Sequence, residues 1–310
     1  MKKIAIVALA LMAIGFFMML FGVMIGITPL YVDSTGMHRR TVQPELEEFA
    51  SSYAQNATVT LSFASDDITI IRGERFGYTV TGTYSQKLNT QLTPSSLVIK
   101  QENTEEWFDF GWDGLVMFGR GSFTGPQVTV YIPADMTVIL LDVSVASGDV
   151  MIESIAANEV SLQGASGDLT VLNLKADTID LAVMSGNVLM NGIEADSIRM
   201  QGASGDITLT ALTVNRSLRA DLMSGDVSIA GDIRGELVLN GASGNIQIEI
   251  AGASKDYSWA INGLSSNIWV SDPHGDLPTS TRDSESAGVA LANRITIDAM
   301  SGDIGLRFMR

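Results

Sequence analysis

The chain has no cysteine, only 7 prolines and only 2 histidines among its 310 residues. Without thiols there are no disulfides, no thiolate metal sites and no cysteine nucleophile, and the redox compartment is left open. Basic residues are scarce too: 19 Lys and Arg stand against 35 Asp and Glu, a net charge of −16. That balance argues against nucleic acid as a partner, because neutralising phosphates needs a basic face. It also repels anionic lipid, so electrostatics do not hold the folded part on a membrane surface. With 46% apolar residues and 30 glycines, the composition is neither collagenous nor disordered. The length allows one large domain or two small ones.

Long apolar runs are confined to one place. Lys2 and Lys3 precede an almost unbroken apolar stretch from Ile4 to Leu30, roughly 40 Å long as a helix and enough to cross a ~30 Å hydrocarbon core with some tilt. A cleaved signal has an apolar stretch of only about 7–15 residues followed by a small-residue cleavage site, and nothing of that kind follows Leu30. Residues 1–33 therefore read as a cytoplasmic tip and a single N-terminal transmembrane helix that meets the membrane through residues 4–30. The two lysines favour an inside N-terminus and an extracytoplasmic body, although His38-Arg39-Arg40 follow not far beyond the run. Residues 34–56 are polar and read as a membrane-proximal stalk.

Beyond the stalk, helical periodicity is missing and self-similarity takes its place. One motif recurs as Ser147-Gly148-Asp149, Ser166-Gly167-Asp168, Ser185-Gly186-Asn187, Ser204-Gly205-Asp206, Ser224-Gly225-Asp226, Ser243-Gly244-Asn245 and Ser301-Gly302-Asp303. The first six copies begin 19, 19, 19, 20 and 19 residues apart. Degenerate copies are Ser65-Asp66-Asp67 and Ser265-Ser266-Asn267. After each turn come two apolar residues spaced by one, such as Leu169/Val171 and Val188/Met190, and about ten residues later a second pair, such as Ile179/Leu181 and Ile198/Met200. Period-two apolarity over a few residues marks a strand with one buried face. Between the pairs Ile155, Leu174, Ile193 and Leu212 are placed to fill a corner.

Two short strands and two turns per 19 residues describe one coil of a β-solenoid, a parallel β-helix-like all-β fold whose stacked coils bury a continuous core. Nine or ten coils at ~4.8 Å would make a rod of about 45 Å. The residues before each motif alternate in size, as in Gly164-Ala165, Val183-Met184, Gly202-Ala203, Leu222-Met223 and Gly241-Ala242. Each Met is expected to pack over the Gly-Ala of neighbouring coils. A coil of two units, about 38 residues, is the competing reading of the alternation, and the 19-residue coil is favoured over it. The expected domain is 57–310, with an irregular opening over 57–133 and the repeats over 134–310. In the opening, Thr58–Ile71, Tyr78–Tyr84, Leu97–Gln101 and Val128–Ile132 read as strands.

Turn chemistry accounts for every residue type in the motif: glycine supplies a positive φ, and Asp or Asn hydrogen-bonds the turn backbone. A calcium ladder is the functional alternative. It is disfavoured because glycine-rich calcium rolls carry several Gly and an Asp per nine residues. The ladder Asp149, Asp168, Asn187, Asp206, Asp226, Asn245, Asn267, Asp303 is moreover broken by Asn. Carboxylates ~5 Å apart repel by about 1 kcal/mol in water, a repulsion that Asn relieves where no ion is present. No cofactor is expected. Neither histidine stands in a catalytic constellation: His38 is near the apolar run and His274 in a polar stretch, 271–294, read as a loop inserted in the last full coil. The serines belong to the repeat and none stands out as a nucleophile. The non-repetitive candidate for a contact surface is the segment 103–123, with Trp107, Phe108, Phe110, Trp112 and Phe118. It would either cap the open end of the core or stack on sugar rings or partner side chains.

The strand Val128-Thr129-Val130-Tyr131-Ile132-Pro133 leads through Leu140-Leu141-Asp142-Val143-Ser144 into the Ser-Gly-Asp units. In this it resembles the bacterial putative-adhesin family of β-strand-repeat proteins, a domain of unknown function often tethered by an N-terminal membrane helix. The resemblance covers roughly 57–310 and implies a β-solenoid at the cell envelope, with no catalytic residues to carry over. Two departures, the lost glycine at Ser265-Ser266-Asn267 and the 36 residues from Ser265 to Ser301, disturb the regular stacking expected near the C-terminal end. The function expected is that of a non-catalytic, membrane-anchored scaffold for adhesion or envelope interaction, with cell-wall polysaccharide or another envelope protein as partner. The alternative is an accessory or sensing component that binds a membrane partner of an envelope-stress signalling system.

Overall fold

The structure is a computed structural model that describes residues 30–33, 36–39, 46–82, 88–101, 127–273, 284–287 and 292–309. The chain divides into two compact units. In the first, Leu30–Asp33 and Gly36–Arg39 form an antiparallel hairpin. Residues 1–29, most of the expected membrane helix, lie outside the described residues, and among those described no helix is long and apolar enough to cross a membrane.

The second unit is all-β, a 23-stranded sheet wound into a solenoid-like stack. Parallel pairing joins each residue to one 19 positions on: Val150 to Leu169, Leu169 to Val188, Val188 to Ile207. The coil is therefore 19 residues, not 38. The single 20-residue step is a bulge, where Asn215 and Arg216 stand opposite Asp196 and both hydrogen-bond its carboxylate. These bonds hold the Asp196 carboxyl below the usual carboxylate range.

Both members of the expected apolar pairs point inward: Leu169, Val171, Ile179 and Leu181 are all buried, as are the corner residues Ile155, Leu174, Ile193 and Leu212. Opposite the Ser-Gly-Asx turn is a second corner, where Ser154, Asn173, Gly192 and Ala211 adopt positive φ of 59°, 52°, 70° and 51°. The packing expected of the methionines is corrected. Met184, Met223 and Met300 are 65%, 67% and 58% exposed, because Val183, Leu222 and Ala299 just before them take the inward positions. The size alternation on the inward column is Val183 and the half-buried Leu222 against glycines, with a Leu222 methyl only 2.8 Å from where a Cβ on Gly202 would sit.

Ten coils follow from the pairings, numbered here in stacking order. Coil 1 comprises 96–101 and 127–133, coil 2 is 56–73, and coils 3 to 8 run in chain order from 137–153 to 232–250. Coil 9 is 293–308 and coil 10 is 257–271. Stacking order thus departs from chain order at both ends. At each end the chain lays down one coil, leaves, and returns to occupy the opposite face of a coil already formed. The C-terminal irregularity inferred from the long last unit is this insertion of 293–308 between two earlier coils. Antiparallel strands cover the edge of the first coil and part of the edge of the last. Ser284–Ala287 pairs with Tyr257–Ser265. Leu88–Thr93 and Gly77–Thr81 pair with coil 1, and Leu46–Phe49, within the stretch expected to be stalk, adds to Gly77–Thr81. Such strands satisfy backbone groups that would otherwise template aggregation.

Glycine at the Ser-Gly-Asx turn answers two demands. Its φ runs from 110° to 134°, and a Cβ on Gly205 would meet the carbonyl oxygen of Gly186 at 2.0 Å. Gly205→Ala is expected to cost more than about 3 kcal/mol, since strain and a backbone clash combine in mid-stack. Ser266→Gly, in the terminal coil, should shift stability by less than about 1 kcal/mol. Urea unfolding of the two variants checks both values.

Candidate functional site

The repeated turn is a column of hydrogen bonds that couples coil 2 through coil 10. The Oδ1 of each Asp or Asn accepts the backbone N–H of its counterpart one coil on: Asp149 from Asp168 (2.8 Å), Asp168 from Asn187 (2.8 Å), Asn187 from Asp206 (3.1 Å), Asp206 from Asp226 (3.0 Å) and Asp226 from Asn245 (2.8 Å). Asp67 begins the column by accepting from Asp149, and Asn245 accepts from Asp303. The column ends on Asn267, whose side-chain amide donates to Asp303 at 2.9 Å. Asp and Asn share the one atom this bond needs, an Oδ1 acceptor, so they interchange along the ladder. In the return direction the Asx carbonyl accepts an N–H from the coil before, as Asp168 does from Val150.

The serines are engaged in the same way. The hydroxyls of Ser147, Ser185, Ser204, Ser224 and Ser301 donate to main-chain carbonyls of the preceding coil at 3.1–3.5 Å. A serine spent on a carbonyl, with no base beside it, has none of the activation that a nucleophile requires. Among the described residues no three His, Cys, Asp or Glu side chains are grouped closely enough to hold a metal ion. His274 and the aromatic candidates Trp107, Phe108, Phe110, Trp112 and Phe118 lie outside the described residues.

Three features escaped the sequence. Asp66 occupies a glycine position of the motif and is 2% exposed, with one carboxylate oxygen unpartnered. Burial, and then the charge of Asp67, pushes its pKa up to about 6. Trp269 lies across Gly305 of the neighbouring coil, its ring where any Cβ would be. It closes one end of a polar groove of about 420 Å³ that runs beside Asp226, Asn245 and Gln247. Met223, Met300 and Leu264 line a second, apolar groove of about 740 Å³. Only the exposed methionines carry a signal in the sequence, the size alternation, and it is ambiguous until the strand register is known.

A closed stack of 19-residue β-coils with its turn polar groups spent on coil-to-coil bonds defines a repeat scaffold. The sequence profile of the Toastrack DUF4097 family matches residues 57–307, and the chain belongs to that family. No curated protein matches the chain. Among solved structures it is similar to a putative adhesin from Bacteroides fragilis NCTC 9343, at 12% identity over 87% of this chain and 99% of the other, with a TM-score of 0.47. It is also similar to a putative adhesin from Parabacteroides distasonis ATCC 8503, at 13% identity over 86% and 96% of the two chains, with a TM-score of 0.40. The fold described above rests on the strand pairings of this chain alone.

Two predictions follow from the ladder and its first turn. Asp206→Asn keeps the Oδ1 acceptor and should leave stability within about 0.5 kcal/mol, whereas Asp206→Ala should lose about 1 kcal/mol; equilibrium unfolding distinguishes the pair. For Asp66 the folded pKa lies above the unfolded one, so folding favours the protonated acid. The penalty is full above about pH 6, fades as pH falls toward the unfolded value near 3.8, and is absent below it. Asp66→Asn should therefore be more stable than the parent by about 1–2 kcal/mol at neutral pH. The advantage should vanish in unfolding curves taken below about pH 4.

Proposed function

We propose that the chain is a non-catalytic, membrane-anchored cell-envelope protein that presents a rigid solenoid-like β-stack for adhesion or envelope interaction. One observation carries this reading. An apolar run long enough to span a bilayer, Ile4 to Leu30, precedes a scaffold whose repeated polar residues are consumed in holding the coils together. Such a stack offers long, regular faces rather than a cleft in which titratable groups converge. Family membership supports the reading through the envelope tether common among such domains.

Fractionation of the full chain tests it. The intact protein should sediment with membranes, and protease added outside spheroplasts should cut the part beyond residue 33. A variant lacking residues 4–30 should be soluble. A parent chain found in the soluble fraction, or protected from external protease, would overturn the anchored reading. For contact through the aromatic segment, Trp107→Ala with Trp112→Ala should weaken retention on isolated cell wall, and unchanged retention would remove that segment from the proposal.

A further inference from the structure

The exposed column just before the serines has a size pattern that is its own complement in reverse. From coil 3 to coil 10 its residues are Ala, Ala, Met, Ala, Met, Ala, Met and Leu, placed by the pairings that flank them. The four large ones are 58–75% exposed. Turning the column end over end about a two-fold axis between coils 6 and 7, parallel to the strands, makes coil n meet coil 13 − n. Leu264 then faces Ala146, Met300 faces Ala165, Met223 faces Ala203 and Met184 faces Ala242. Every large side chain meets a small one, and no two large ones collide.

We infer that this face is an isologous interface, docking a second copy of the chain antiparallel to the first. The apolar groove between Met223 and the Met300–Leu264 pair, floored by Gly241 and Ala242, is then the socket for the Met184 of the second copy. The neighbouring outward column supports the same register. Under the same rotation Asp221 faces Gln201 and Asp298 faces Gln163, so each carboxylate meets an amide that can donate to it. Asn240 faces Ala182, and Asn262 faces Ser144. No carboxylate meets a carboxylate, although the chain carries a net −16.

One column further out, Arg199 faces Arg219. Asp221 accepts from Arg219 at 3.1 Å and offsets this repulsion in part. Eight coils at ~4.8 Å give a strip about 38 Å long, which at about 14 Å wide buries on the order of 1,000 Å² in total. That is the low end for a specific interface, and the dimer should tighten as salt screens the arginines and the net charge.

The absence of native cysteine makes cross-linking decisive. In the full chain, Met184→Cys combined with Ala242→Cys places thiols in coils 5 and 8. These lie about 14 Å apart within one copy, beyond the roughly 7 Å that a disulfide can bridge, but they oppose each other across the proposed two-fold. Oxidation should give a covalent dimer in high yield. Leu189→Cys with Gln247→Cys, in the same two coils but on the strands beyond the Ser-Gly-Asx turn, should stay monomeric, as should Met184→Cys alone. Sedimentation of the parent chain should show a concentration-dependent dimer that Met223→Arg weakens by about tenfold or more.

Equal cross-linking of both double variants, or a dimer from Met184→Cys alone, would overturn the antiparallel register. A parent chain that remains monomeric at roughly 100 µM, without cross-linking of the first pair, would overturn the interface. None of these outcomes depends on where in the cell the protein resides, so the inference stands or falls apart from the proposed function.

Discussion

Everything in the repeat depends on how closely two main chains can approach at a corner. Parallel coils stack at strand spacing, and at the Ser-Gly-Asx turn the carbonyl of one glycine occupies the place where the next glycine would carry a Cβ, at about 2 Å from Gly167 through Gly302, while the Asp66 carbonyl stands 2.4 Å from that place on Gly148. A side chain there is excluded by backbone, which cannot move without opening the ladder on both sides. Glycine gives way only where the stack changes. Asp66 belongs to coil 2, where the column of turns begins, and Ser266 to the outermost coil. The opposite corner needs only a left-handed φ of 52°, which Asn173 supplies; the motif glycines stand at 110–134°, where a side chain is strained even before the close approach excludes it.

Around that contact the polar residues are arranged as fasteners. From Asp67 to Asn245 each Asx side chain bonds to a backbone amide and each recorded serine hydroxyl to a backbone carbonyl, both between successive coils. These bonds are exposed and individually modest, on the order of 1 kcal/mol, but they recur at every step and fix the register at which the inward aliphatic rows align. A one-residue slip would turn every buried Leu or Ile toward solvent. Hydrophobic burial stabilises the stack, and the turn column selects which stack forms.

Reordering at the two ends meets a different requirement. A solenoid leaves an open strand edge and an open core at each end, and both invite association with another chain. Here each terminal coil is laid against a coil formed by another part of the sequence and edged by antiparallel strands, Leu88–Thr93 and Gly77–Thr81 at one end and Ser284–Ala287 at the other. The placement of 293–308 inside 257–271 was not legible in the residues. Both segments carry the same alternating pattern, and pattern is blind to which of two equivalent neighbours a strand takes. Of the closing strands only that at Tyr78–Tyr84 was legible; Leu-Asn-Thr-Gln-Leu-Thr and Ser-Glu-Ser-Ala are too short and polar to announce themselves.

What the sequence determined by itself is the repeating unit: its class, its 19-residue period, its inward rows and its glycine corner. These are local consequences of period-two apolarity and of a spacing that recurs too often for chance. Even the odd 20-residue step was visible as a number, though its cause, the bulge of Asn215-Arg216 onto Asp196, was not. Tertiary structure alone decided the order of the end coils, the burial of Asp66 and the outward turn of Met184, Met223 and Met300. The reason is that each depends on which coil lies next door. Size alternation in a sequence cannot say whether a large residue fills the core or stands on the surface; only the strand register, set between coils, assigns it a face.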